Sequence, residues 1–442
     1  MEANRKAPLA RYKGYGTFSS ADVEFQDAFD IQIQANGEIS GNLTSGNATV
    51  HLNSVFDHEW KINGEIEDGI LVAEHASFTR FNRNGFSFIL PSFTVRQSHS
   101  WPEGTYEYQL ANCVFSIGSH VTTNSKGGAA WNAIEVEAYG CQFRIQKVTD
   151  YDAVIEDSRA SESAAITATL QIKGAISVQE ADQFASLMCA LLAFSTKNST
   201  KYISRRSADG GKLVTEYFRP LLYPSRTGWS LLSDFPRKGQ VPLHEFLTGA
   251  LQQIRELDEK LDFSTIVSWL IDAEFSASLQ PKFLLMFAAI ERLRSRMSKG
   301  QPTGHLIADN FIQAIDGSLG DDLMNRIMAD FPDMSSENQS VLRKNLKTLD
   351  RPPIAASLDL LCQNFGVIAS TKKMAHLRSR LMHAGTLGEF SFQPALSLYK
   401  ELSHVLDVCL LKALGYSGSY THWANEWEER PVTETLDLRQ SE

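Results

Sequence analysis

The hydrophobic period of the chain changes near Ser177, and this change limits the fold more than any other feature of the sequence. Apolar residues that alternate build strands with one buried face, and apolar residues that recur every third or fourth position build helices. Before Ser177 the period is two. Phe29, Ile31 and Ile33 alternate with Asp30, Gln32 and Gln34. Asn36-Gly37 follows, a dipeptide that tolerates the positive φ of a tight hairpin. Ile39 and a second alternating run around Val50 and Leu52 come next, and Lys61-Ile62-Asn63-Gly64-Glu65-Ile66 repeats the hairpin signal. Further strands are expected over 71–78, 86–95, 106–117 and 134–148, with turn residues between them. The pattern predicts a β-sandwich or a barrel-like sheet and does not choose between them.

After Ser177 the period is helical. Phe184, Leu187, Met188, Leu191 and Leu192 share a face, with Glu180 and Asp182 in the opening turns. Residues 201–240, with Gly210-Gly211, Pro220, Pro224 and Pro236, read as strands and loops. From Pro242 the chain is almost wholly helical. Pro242 and Pro281 suit first helical turns, Ser336 with Gln339 resembles a capping box, and Pro394 opens the last long helix. Gly366, Gly385 and Gly415 each follow a helical pattern where a left-handed residue ends a helix. The expected class is α+β: an antiparallel β-rich N-terminal domain over 1–176 and a mixed connecting region over 177–263 that can belong to it. A helical bundle over 264–416 and a tail over 417–442 follow. Trp423 and Trp427 suggest that the tail docks on the surface.

Composition removes several functions. In 442 residues, 43% hydrophobic and 21% charged, Lys+Arg 42 against Asp+Glu 52 gives a net charge of −10. That balance argues against a protein that coats nucleic acid by bulk charge, and leaves a local basic cleft open. Neither a signal peptide nor a membrane span is visible, so a cytoplasmic protein is expected. Cys113, Cys141, Cys189, Cys362 and Cys409 lie far apart in sequence, which fits reduced, buried thiols. Gly210-Gly211 lacks the Lys-Ser/Thr of a phosphate loop, and no Gly-x-Ser-x-Gly elbow occurs. His51, His58, His99 and His120 lack metal-site spacing, and neither metal nor cofactor is expected. Phe86, Phe88, Phe93, Trp101, Tyr106 and Tyr108 could form a ligand platform, although core packing is the commoner use of such residues.

The segment that can carry chemistry runs from Lys372 to Gly385. From Lys372 to His383 it has four fixed cations (Lys372, Lys373, Arg378, Arg380), two histidines (His376, His383) and no acid. Met374, Leu377 and Leu381 supply an apolar side. On a straight helix His376, Arg380 and His383 share a face, while Arg378 lies about 140° from His383. Periodicity alone therefore nominates Arg380 as the partner of His383.

Arg378-Ser379-Arg380-Leu381-Met382-His383 resembles the Arg–polar–three residues–His signature of the HEPN superfamily, many of whose members are metal-independent ribonucleases. Ala384-Gly385 and the helix ending Leu411-Lys412-Ala413-Leu414-Gly415-Tyr416 resemble the C-terminal part of ApeA-like HEPN proteins, and 283–293 resembles their early helix, with Glu291. The resemblance covers about Ser264 to Tyr416, and the β-rich half also resembles an ApeA-type N-terminal domain. It implies Arg378 and His383 as catalytic residues, with Ser379, Arg380 and Glu291 in support, no metal, and a homodimer that brings two Arg–His motifs to one cleft. It also implies an RNA substrate and anti-phage defence by abortive infection, restrained until a phage-derived trigger acts. The family often has Asn or Asp where Ser379 stands, and serine reaches less far.

The residue types suit metal-free RNA cleavage. Imidazole titrates near neutrality, and guanidinium offers permanent charge and planar donors to phosphate oxygens. Glu291 has a plainer reading, as a counter-charge to Arg292, Arg294 and Arg296, and Arg343, Lys344 and Lys347 form a second basic cluster. The first 150 residues hold 17 acids against 11 Lys+Arg, which fits an acidic domain that restrains a basic helix. The alternative function is a non-catalytic HEPN dimerisation or nucleotide/RNA-binding module with a β-rich ligand-sensing domain.

Overall fold

The structure, a computed structural model, describes residues 8–34, 36–44, 59–82, 85–115, 118–123, 129–220, 222–225, 230–232, 241–297, 335–336, 354–387, 390–423, 427–432 and 436–437. The run around Val50, His51 and His58, the cluster Arg343, Lys344 and Lys347, and the Gln339 half of the capping box lie outside them. The fold is α+β, antiparallel strands first and helices later. The chain divides into two compact units, residues 1–257 with 414–432 and residues 258–413 with 433–442.

Six strands of the first unit close a ring. β1 (Ala10–Ser19), β2 (Glu24–Ile33), β3 (Ile39–Leu43), β4 (Trp60–Ile66), β5 (Gly69–Asn82) and β6 (Gly85–Ile89) pair in the order β4-β1-β2-β3-β6-β5. β5 then returns to β4, with Ile62 opposite Ala73. This closure makes the region a barrel rather than a sandwich. Its interior holds Phe18, Phe29, Trp60, Phe78, Phe86 and Phe88 at the inward positions of alternating strands. Gly64 corrects the second hairpin expected from sequence. Asn63-Gly64 is no turn: Gly64 sits inside β4, and a Cβ there would lie 2.4 Å from the Phe29 ring. The glycine makes room for an aromatic core residue, and the turn falls at Glu67-Asp68.

β5 is long enough to pair with three strands, β4, β6 and β7 (Ser92–Ser100). Its first residues pair with β7, and the ladder continues through β14 (Lys212–Phe218), β13 (Lys201–Asp209), β8 (Thr105–Ala111), β12 (Ile166–Lys173), β11 (Cys141–Lys147), β10 (Ala129–Ala138) and β9 (His120–Thr123). Two runs read as single strands are therefore pairs, because Leu90-Pro91 separates β6 from β7 and Tyr139-Gly140 turns β10 into β11 with φ of 52° and 72°. α1 (Tyr151–Ala160), α2 (Val178–Thr196) and α3 (Pro242–Leu251) belong to this unit. Ser177 and Glu180 close a reciprocal capping box at the start of α2. Phe86, Phe88, Phe93, Tyr106 and Tyr108 are all buried, so core packing and not a ligand platform claims them. The hairpin of β16 (Ser419–Trp423) and β17 (Trp427–Pro431) returns to the first unit, where Thr421 N–H donates to Leu231 O at 2.7 Å.

α4 (Ile254–Leu261) leads to the helices of the second unit: α5 (Phe263–Phe275), α6 (Leu279–Met297), α7 (Ile354–Asn364), α8 (Thr371–Ala384) and α9 (Phe392–Ala413). β15 (Val367–Ile368) pairs in parallel with β18 (Leu436–Asp437). α6 packs against α5, α9 and α8 through Phe283, Met286, Phe287, Ile290 and Leu293, all buried. Gly366, Gly385 and Gly415 adopt φ of 61°, 65° and 69°, as their helix-ending positions require.

Candidate active site on a basic helix

α8 forms because Thr371, Met374, Leu377 and Leu381 recur at helical spacing and are buried together. It ends where Gly385 takes the left-handed conformation and its N–H returns to Leu381 O at 3.1 Å. The opposite side is wet: Lys372, Lys373, His376, Ser379, Arg380, Met382 and His383 are exposed. Arg378 sits at the border and is half-buried. Its guanidinium lies 5.8 Å from the centroid of Phe287 and 3.5 Å from Glu291 Oε1, both on α6. Phe287 and Glu291 are four residues apart, so one face of α6 offers a ring and a carboxylate to one guanidinium.

This settles which arginine is held. Arg378, and not Arg380, is turned toward α6, although periodicity favoured Arg380 as the partner of His383. The apolar contacts of Leu377 and Leu381 fix the rotation of α8 and leave Arg380 in solvent. Two of the three arginines that Glu291 could balance are engaged by another acid. Arg292 and Arg296 are taken by Asp262, which accepts hydrogen bonds from the Arg292 guanidinium (Nε at 2.7 Å) and lies 3.5 Å from Arg296 Nη2. Asp262 opens α5 in the left-handed conformation and also accepts from Thr265 Oγ1 at 2.8 Å. Burial pushes its carboxyl up, but the hydrogen bonds of Arg292 and Thr265 and the charges of Arg292 and Arg296 outweigh it, and the group is held below the usual carboxylate range.

His383 is exposed in the last turn of α8. His376 is exposed as well, with its ring 5.6 Å from that of Phe390. The Ser379 hydroxyl makes no hydrogen bond among the described residues. Two further contacts on α8 come from residues that the sequence did not single out. Glu401 of α9 accepts the Ser370 N–H at 2.5 Å, and Asp359 of α7 accepts the Thr371 hydroxyl. Nothing in the sequence marks them, since their importance comes from chain neighbours more than ten positions away.

The five cysteines are free and buried, and burial pushes Cys189 and Cys362 up to about 12, far from a reactive thiolate. No group of three metal-ligating side chains occurs among the described residues. A cavity of about 270 Å³ in the first unit, lined by Arg11, Tyr12, Lys13, Glu67, Asp68 and Gln97, contains neither histidine nor cysteine. No described helix is long and apolar enough to cross a membrane. Comparison with family models, with curated proteins and with solved structures finds no match to the chain.

Proposed function

We propose that the chain is a metal-independent endoribonuclease of HEPN type that acts in the cytoplasm in abortive-infection defence. One observation carries this reading. Arg378 is tethered to a carboxylate and a ring of α6, while His383 stands exposed at the end of the same helix. A held guanidinium and an accessible imidazole are the two groups that metal-free cleavage requires. The imidazole takes the proton of a ribose 2′-hydroxyl, the 2′-oxygen attacks phosphorus, and the bond from phosphorus to the 5′-oxygen breaks. The leaving oxygen is protonated, which gives a 2′,3′-cyclic phosphate and a 5′-hydroxyl. The Arg378 guanidinium, held at the border of α8, adds positive charge to the surface on which the phosphate is bound.

One chain offers His383 for one proton transfer at a time, and Arg378 lies about 140° away around α8. Two copies paired at their α8 helices supply the second imidazole. In this proposal the β-rich unit senses a phage-derived trigger and restrains cleavage until it binds. The test is incubation of the full chain with total RNA in EDTA. His383→Ala is expected to lower cleavage by about 100-fold or more with the fold intact. Equal cleavage by folded His383→Ala overturns the proposal. The exposed Ser379, with no hydrogen bond to Arg378 or His383, favours a second reading, a non-catalytic dimerisation or RNA-binding module. Binding of RNA without cleavage selects it.

A further inference from the structure

α8 does not cap itself. Ser370 is its N-cap, yet the Ser370 side chain makes no capping hydrogen bond, and the first turn carries no acid. Free N–H groups at a helix start need acceptors, and a helix with this many cations gains most from acceptors that are charged. Here other helices provide them. Glu401, 3% exposed on α9, takes the Ser370 N–H, and Asp359 on α7 takes the hydroxyl of Thr371, itself 4% exposed.

The stretch that leads into α8 is pinned at both ends by the same helix. The Lys412 ammonium donates to Phe365 O at 2.5 Å, and Glu401 accepts from Ser370 N. Eleven residues separate Glu401 from Lys412, which on a helix is a net turn of only about 20° and a rise of about 16 Å. Five residues separate Phe365 from Ser370, and an extended chain of that length spans at most about 17 Å. This short link, turned at Gly366 with φ of 61°, is thus held at both of its ends by α9. A shift of Ser370 along the axis of α8 would carry Arg378 and His383 with it.

We infer that Glu401 is a positioning residue, whose buried carboxylate sets the axial place of α8 and, through it, the aim of Arg378 and His383. The catalytic half of this inference rests on the proposed cleavage reaction, and the mechanical half does not. Glu401→Gln keeps an oxygen acceptor of the same reach, and Glu401→Leu removes it at similar size. In the full chain, hydrogen–deuterium exchange of a peptide spanning residues 370–374 is expected to quicken about tenfold in Glu401→Leu and to stay near the parent rate in Glu401→Gln. With an RNA oligonucleotide in EDTA, Glu401→Leu is expected to lose about tenfold or more in kcat with KM within about twofold, because the exposed cations that hold RNA are untouched. Glu401→Gln recovers most of that loss. Unchanged exchange in Glu401→Leu overturns the inference. So does a kcat within about twofold of the parent when cleavage is shown to depend on His383. So does a fall of kcat in Glu401→Leu and Glu401→Gln alike that only matches the fall in folded fraction. A cleavage that ignores His383 sinks the nuclease proposal and with it the catalytic half, while the exchange experiment still decides the mechanical half.

Discussion

At the residue scale, the site turns on which side chains already have work inside the protein. Arg378 packs on Phe287 and meets Glu291, so its planar shape is used as well as its charge. Lysine keeps the charge and loses the plane and the fork of donors. Arg378→Lys is therefore expected to cut RNA cleavage by about 10- to 100-fold without a change in melting temperature, as measured by single-turnover cleavage beside thermal unfolding. Asp262 has the complementary task of binding Arg292 and Arg296. Its carboxyl is lowered in the folded protein, so its contribution to stability is present above the unfolded value, about 4, and disappears as pH falls through the lower folded value. Asp262→Asn is expected to cost about 1–3 kcal/mol at pH 7 in urea titrations, and the difference from the parent shrinks as pH falls below about 4. A constant difference across that range would rule out the ionised carboxylate as its source. Of these residues, Arg378, His383 and Glu291 were legible in the sequence through a resemblance. Asp262, Asp359 and Glu401 were not, because a lone acid on a helix looks the same whether it is solvated or buried against another helix.

At the scale of elements, the sequence was legible wherever a single local rule decides. The start of α2 near Ser177, Pro242 at the start of α3, and the three helix-ending glycines follow such rules. It was illegible where glycine serves packing, as Gly64 does beneath Phe29, and where an aromatic occupies a turn, as Tyr139 does. Nor does any local rule place β13 and β14, which follow α2 and re-enter the sheet between β8 and β7. What fixes them to α2 is Arg205 on β13, whose guanidinium donates to Asp182 of α2 and to Glu216 of β14. Tyr108 of β8 adds its hydroxyl to Asp182 at 2.9 Å. Both carboxylates are less than a third exposed, and burial pushes the Glu216 carboxyl up, although Arg205 opposes it. Arg205→Leu would leave two carboxylates facing each other with no cation between them. It is expected to destabilise the protein by about 3 kcal/mol at pH 7, read by denaturant unfolding. The loss should be smaller at pH 5, where the raised Glu216 carboxyl takes up a proton more readily in the folded state than in the unfolded one. A pH-independent loss would point to packing alone.

At the scale of the whole molecule, the chain order matters more than the two-period sequence suggests. The switch from strands to helices reads as a simple division into halves, but the chain enters the second unit at 258, leaves it at 414 and returns at 433. The returning segment is part of the first unit's core. Tyr420 and Val432 are fully buried, Thr421 N–H donates to Leu231 O, and Tyr416 packs edge-on against Phe246 with centroids 5.6 Å apart. No single cut therefore separates the units cleanly, and a fragment of residues 1–257 lacks a segment that its core was built around. Burial of Tyr420 and Val432 and a backbone hydrogen bond amounts to several kcal/mol, about half of what a domain has in total. A fragment of residues 1–257 is accordingly expected to melt well below the first unit of the intact chain, by about 10 °C or more. A synthetic peptide of residues 414–432 should bind it and raise its melting temperature with increasing peptide concentration, as any ligand specific for the folded state must. The same peptide with Tyr420→Ala should give a markedly smaller rise, because the cavity left by the ring removes most of the packing gain. A fragment whose melting temperature ignores both peptides would show that the returning hairpin is a passenger, and that the β-rich unit is complete by residue 257.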